Sequence, residues 1–141
     1  MVKIKNKVLF IPMLLLSLNT MAQNTLEVQV TEIKKVHGQI GLCIYNSEEA
    51  YMHSDEAVLC QWADVKDSRV PFKLESLPSG DYAIVIFQDL NGNKELDTNF
   101  MGIPKEPYGF SNNPSTRFGP PSFEGASFKV GSDTEIGIEL K

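Results

Sequence analysis

The sequence predicts an all-β fold: a seven-stranded antiparallel β-sandwich of the immunoglobulin or transthyretin kind, carrying one long ordered loop. Three observations predict it. Short apolar or alternating runs recur between turn residues. No stretch sustains a 3.6-residue period. Leu77-Pro78-Ser79-Gly80 puts turn chemistry between two strand-like runs.

Each element follows from its own pattern. In Thr25 to Ile33, Leu26, Val28 and Val30 alternate with Glu27, Gln29 and Thr31, the signature of a half-buried strand. Lys34 to Gly38 reads as a turn. Gln39 to Tyr45 is apolar on both faces and predicts a central strand. Ser47 precedes Glu48 and Glu49 and can cap a short helical turn. Ala57 to Val65 is the third strand, with Cys60 and Trp62, and Val70 to Leu74 the fourth, where Pro71 indicates a sheet edge. Asp81 to Gln88 is the strongest strand and belongs in mid-sheet. Ala126 to Val130 and Glu135 to Leu140 complete the set. Ile40, Leu42, Ile44, Ile84, Ile86 and Trp62 are expected to be buried between the sheets.

The first 22 residues have a different character. Lys3, Lys5 and Lys7 precede an apolar run from Val8 to Leu18, and Thr20-Met21-Ala22 offers small residues at a cleavage site. This predicts a signal peptide over 1–22 and a single domain over 23–141. The apolar run is far shorter than the roughly 20 residues of a spanning helix, so no membrane span is expected after cleavage. The protein is expected to be periplasmic or secreted. Of the 13 basic residues, three lie in this leader, which leaves 10 against 18 acids. That balance excludes a nucleic-acid partner, which would need clustered Lys and Arg. In an oxidising compartment Cys43 and Cys60 are expected to bridge, the alternative being two buried thiols on neighbouring strands.

Between Asp89 and Phe123 the periodicity stops, and the segment holds five of the eight prolines. A 35-residue segment without strands is unusual inside a domain and is normally functional or disordered. Its apolar content argues against disorder. Asp89-Leu90-Asn91-Gly92-Asn93-Lys94-Glu95-Leu96-Asp97 supplies a means of ordering it. Side-chain oxygens fall at positions 1, 3, 5 and 9, and position 7, Glu95, can offer its backbone carbonyl. Ca²⁺ takes six to eight hard oxygen ligands, so Ca²⁺ is the expected ion, with Asp89, Asn91, Asn93, Glu95 and Asp97 as ligands. Lys94 stands where an EF-hand has glycine and Phe100 where it has a bidentate glutamate, so this is no EF-hand. Glu106 is the nearest later carboxylate that can complete the shell. The competing reading is a bare Asx-rich turn, because Asn-Gly is a turn signal by itself.

These motifs carry a resemblance. Leu77-Pro78-Ser79-Gly80-Asp81-Tyr82-Ala83, the Asp89 to Asn93 run with Asp97, Gly102 to Glu106, Tyr108 to Asn113 and Gly119 to Phe123 together resemble a family of secreted bacterial proteins, the domain of unknown function numbered 2141. The resemblance covers roughly residues 25 to 140. It implies a sandwich domain behind a signal peptide, with no assigned activity. Asp89 to Ile103 is also similar to the Ca²⁺ loops of B-type repeats in Gram-positive adhesins, through Asp89, Asn91, Asn93, Asp97 and Gly102. Lys94 and Phe100 depart from that pattern.

Other constellations are poor. His37 and His53 stand alone, without the spacing of a metal pair. No nucleophile elbow or phosphate loop is present. Tyr108, Phe110, Phe118 and Phe123 could contact a sugar or peptide, or form a satellite core under the long loop. The functional expectation is an exported, Ca²⁺-stabilised binding or structural module of the bacterial envelope. It is not expected to be an enzyme, and its partner would be an envelope protein or a glycan. The alternative is a periplasmic carbohydrate or peptide binder, or an enzyme, that uses the loop 100–123.

Overall fold

The computed structural model describes residues 23–141; the expected signal peptide lies outside the described residues. The described chain is all-β apart from short helical turns. Its strands are β1 (Gln23–Thr31), β2 (Gln39–Tyr45), β3 (Leu59–Asp64), β4 (Val70–Pro78), β5 (Gly80–Asp89), β6 (Tyr108–Phe110), β7 (Phe128–Val130) and β8 (Thr134–Glu139). A 3₁₀ turn, Ser54–Glu56, precedes β3, and a four-residue helix, α1 (Phe123–Ala126), precedes β7. One sheet runs β4-β1-β8; the other runs β3-β2-β5-β6, with β7 also paired to β5.

Two expectations about topology are corrected. There are eight strands among the described residues, not seven, because Tyr108–Phe110 pairs with Val85, Ile86 and Phe87 inside the segment read as strandless. Nor is the fold wholly antiparallel, since β1 and β8 run parallel from Leu26↔Thr134 to Thr31↔Glu139. The chain leaves β7 in the larger sheet and crosses to the smaller one, entering beside β1 in the same direction.

Strand alternation builds the core. Leu26, Val28 and Val30 of β1, Phe72 and Leu74 of β4, Ile40, Leu42 and Ile44 of β2, and Ile84 and Ile86 of β5 form one buried cluster fed by both sheets. Full burial of a side chain of this size is worth about 1.5–3 kcal/mol, so this set dominates the stability of the domain. Pro71 lies on β4, at a sheet edge, where a missing N–H costs no ladder bond. The turn before β2 requires Gly38: its φ is +77°, and a Cβ there would lie 2.2 Å from the Asp89 carbonyl oxygen.

Trp62 departs from expectation. It is only half-buried and lies on the outer face of the larger sheet. Register explains this. Trp62 pairs with Gly41, and Gly41 with Phe87, so all three point away from the core that Leu42 and Ile86 enter. Cys43 and Cys60 pair directly in the same register, and the structure contains the Cys43–Cys60 disulfide on this outer face. Their Cα atoms are 4.2 Å apart, as in the closely spaced kind of antiparallel pair.

Part of that outer face is covered. Tyr45, Ala50, Tyr51, Ala83, Phe110 and Ala126 form a second buried cluster, with Tyr108 and Phe123 packed against it. Tyr51 meets Tyr45 and Phe123 edge to face at 5.7 and 5.8 Å. Its hydroxyl is buried with no hydrogen-bond partner among the described residues. Burial first, and the Tyr45 phenol second, push its pKa up to about 12. A pKa raised on folding means that stability is intact below the ordinary value of 10 and is lost as pH rises toward 12. Tyr51→Phe should therefore be neutral or stabilising by up to about 1 kcal/mol at pH 7, because it removes an unpaired buried hydroxyl. It should also flatten the alkaline limb of a urea-midpoint-against-pH curve. A loss of more than about 1 kcal/mol at pH 7 would show that the hydroxyl has a partner.

Candidate functional site: the Asp/Asn loop

Asp89 ends β5, and its side chain is almost wholly buried. Its Oδ1 accepts the backbone N–H groups of Asn91 at 3.2 Å and Gly92 at 2.8 Å, and its Oδ2 accepts that of Lys94 at 2.8 Å. One carboxylate thus winds the next five residues around itself. The turn is completed by Gly92 at φ +79° and by Lys94 at φ +60°. Lys94, the residue that departs from the EF-hand glycine, adopts the left-handed conformation which glycine would take there more easily.

The remaining polar side chains of the loop meet at Asp97. The Asn91 amide donates to Asp97 Oδ2, and the Asn93 amide donates to Asp97 Oδ1 at 2.9 Å. The oxygens of the two amides face back along the chain: Asn91 Oδ1 accepts from Asn93 N at 3.2 Å, and Asn93 Oδ1 from Glu95 N at 3.0 Å. Asn91, Asn93 and Asp97 are therefore gathered at one place, with Asp89 beneath the turn. Glu95 lines the outer-face cleft described below.

Glu106 has a role that spacing did not suggest. It is buried, and its two carboxylate oxygens accept Leu90 N at 2.9 Å and Asp97 N at 3.1 Å. It pins the two ends of the loop to each other from the far side of the segment. Between these ends, Lys105 N donates to Asp97 O, and Thr98 bridges Pro104. Asn99 Oδ1 accepts from Met101 N and Ile103 N, closing a tight tip that leaves Phe100 97% exposed and Met101 and Ile103 also exposed.

The aromatic candidates divide. Phe110 is buried in the second core, and Tyr108 and Phe123 pack against that core. Phe118 is 96% exposed, with the Arg117 guanidinium 5.6 Å from its ring centroid. The segment around them is tied down by Ser111 and Asn113, whose roles no local sequence pattern indicates. Ser111 is fully buried, donates its N–H to Ile84 O, and accepts Ile84 N at its hydroxyl. Asn113 reaches β8, accepting Glu139 N at 2.8 Å and donating to Gly137 O at 3.2 Å. The two adjacent asparagines, both at positive φ here, signal only a left-handed corner.

The donor set of the loop is all oxygen or amide, which suits hard cations and not thiophilic metals. Its carboxylates are Asp89, Glu95 and Asp97, apart from Glu106. Among the described residues, no three His, Cys, Asp or Glu side chains form a group able to hold a metal ion. Any cation here would need the asparagine oxygens. Turning the two amides about their terminal bonds would exchange nitrogen for oxygen toward Asp97.

The sequence profile of the bacterial family described as "Uncharacterized protein conserved in bacteria (DUF2141)" matches residues 28–137, and the chain belongs to that family. No curated protein and no solved structure matches the chain. Among the described residues no helix is long and apolar enough to cross a membrane.

Proposed function

We propose that this family member is an exported β-sandwich of the immunoglobulin or transthyretin kind that acts as a non-catalytic binding or structural module in the bacterial envelope, with Ca²⁺ stabilising its 89–123 segment. The observation that carries the reading is the gathering of Asn91, Asn93 and Asp97 head to head beside a buried Asp89. With the two amides turned about their terminal bonds, Asp97 would be the principal charged ligand, with the Asn91 and Asn93 oxygens and the Glu95 carbonyl as neutral ones. Glu106, engaged with two backbone amides, would set the loop's width in place of ligating. With so few carboxylates the affinity belongs with extracellular Ca²⁺ modules, on the order of 10⁻⁴–10⁻³ M. Export is supported by the disulfide, which persists in oxidising compartments, and by the leader-like pattern of residues 1–22.

The alternative of a sugar- or peptide-binding or catalytic surface on loop 100–123 is less well supported. Of its five aromatics, Phe110 is buried in the second core and Tyr108 and Phe123 pack against that core, which leaves only Phe100 and Phe118 exposed.

The test is thermal unfolding of residues 23–141 in millimolar Ca²⁺ and in chelator. At tenfold excess over Kd, binding to the folded state alone adds about 1.4 kcal/mol, which raises the Tm by several degrees for a domain of this size. Equal melting temperatures in both buffers would leave the segment as an Asx turn that needs no ion.

A further inference from the structure

The second core covers only part of the outer face of the larger sheet. Beside it is an open cleft of about 570 Å³, within the range of sites that hold small organic ligands. Its floor is the row Trp62–Gly41–Phe87 across three strands, with the Cys43–Cys60 disulfide beside it. Gly41 makes this floor: a Cβ there would lie 2.8 Å from two Trp62 ring atoms and 3.2 Å from the Phe87 ring. Its absence lets the two aromatic rings meet over the strand, at 5.5 Å and perpendicular. The walls are Met52 on one side and Lys94 to Leu96 on the other.

The rim is as informative as the floor. Met52 is 48% exposed and sits at φ +67°; Lys94 sits at φ +60°. Both positions favour glycine, yet both carry long side chains and both line the cleft. The Lys94 ammonium lies 5.4 Å from the Trp62 ring centroid and makes no salt bridge among the described residues. In a domain with a large excess of acids, this is a cation held over an aromatic floor without a carboxylate partner. Glu95, beside it, would repel a second negative charge on an occupant.

We propose that this cleft is a binding site for a monoanionic apolar acid, a carboxylate on a flat or acyl body. The body would cover Trp62 and Phe87, and the carboxylate would pair with Lys94. Charge complementarity selects the class: the lining is mainly apolar, Lys94 is its one cation, and Tyr45, Ser54 and Glu95 are its other polar side chains. The inference supplies a ligand class for the binding-module reading above. It does not need the ion, so its failure would leave the Ca²⁺ test untouched, and failure of that test would leave the cleft standing.

Trp62 is the single tryptophan in the chain, so its emission reports on the cleft directly. The experiment titrates residues 23–141, in chelator and in Ca²⁺, with decanoate, decanol and decyltrimethylammonium below their aggregation limits. Decanoate should give a saturable change in Trp62 emission, with amide shifts in nuclear magnetic resonance spectra confined to the cleft lining, chiefly Gly41, Met52, Trp62, Phe87 and residues 94–96. Decanol should bind about tenfold more weakly, which corresponds to about 1.4 kcal/mol, and the ammonium more weakly still. Lys94→Gln should bring decanoate to the affinity of decanol and leave decanol unchanged. Gly41→Val should abolish the saturable response to both; decanoate and decanol spectra of Lys94→Gln keep the test decisive if Gly41→Val does not fold. Equal binding of all three probes, shifts outside the cleft, or an emission change on concentrating the protein alone, which would signal a second copy as occupant, would each overturn the proposal.

Discussion

Asp89→Ala should cost about 3–4 kcal/mol in a urea titration, the largest single-residue effect expected in the loop. The carboxylate accepts three backbone N–H groups and is buried, and bonds to a charged acceptor are worth about 1.5–3 kcal/mol each. Those donors regain water where the loop is exposed, so the sum is not reached. Asp89→Asn keeps one acceptor oxygen for Asn91 and Gly92 but turns an NH₂ toward the Lys94 N–H; it should cost about half as much. Hydrogen exchange should show the loss first in residues 89–106, because this segment has few ladder bonds of its own. A cost below about 1 kcal/mol for Asp89→Ala would mean that the turn holds itself.

Removal of the disulfide is the second large effect. Cys43 and Cys60 are separated by 17 residues, and closing a loop of that size is worth about 3 kcal/mol on the chain-entropy model. The double variant Cys43→Ala/Cys60→Ala should lose about that amount in water while keeping its β-sheet circular dichroism, since β2 is held by β5 on its other side. Reduction of the native protein should shift the unfolding midpoint by the same amount. A shift close to zero would place the stabilisation in the β2–β3 ladder and not in the cross-link.

How much of this was legible in the sequence varies by residue. The inward rows of β2 and β5 were, because Ile40, Leu42 and Ile44 and then Ile84 and Ile86 share a period of two, and a one-residue slip would expose them all. The cysteine pairing was legible as an expectation, and it contained a further constraint that went unused. If Cys43 bridges Cys60, both lie opposite Leu42 and Ile44, and Trp62, two residues from Cys60, must also face outward. The burial predicted for Trp62 failed on that point. The parallel pairing of β8 with β1 was not legible, because side-chain alternation is the same for both strand directions. β6 was missed because three residues carry too little pattern, and what holds it is the partner β5 and the Tyr108–Lys141 backbone bonds.

In the loop, spacing identified which side chains gather but not what each does. Alternate positions in a tight turn point the same way, which is why Asn91, Asn93 and Asp97 meet, whereas the Asp89 carboxylate is taken up by three backbone N–H groups. The part taken by Glu106 depends on where the chain returns after the 99–103 tip, and no local pattern encodes that. Lys94 looked like a defect by comparison with a glycine position. Its ammonium over Trp62 gives that departure a physical use.

The most direct measurement of the central claim is a calorimetric titration of residues 23–141 with Ca²⁺, repeated for Asp97→Ala. One site is expected, with Kd on the order of 10⁻⁴–10⁻³ M, weaker binding of Mg²⁺, and no saturable heat in Asp97→Ala, whose core and disulfide are untouched. No saturable heat in the folded wild-type protein up to several millimolar Ca²⁺, or an unchanged isotherm in Asp97→Ala, would contradict it.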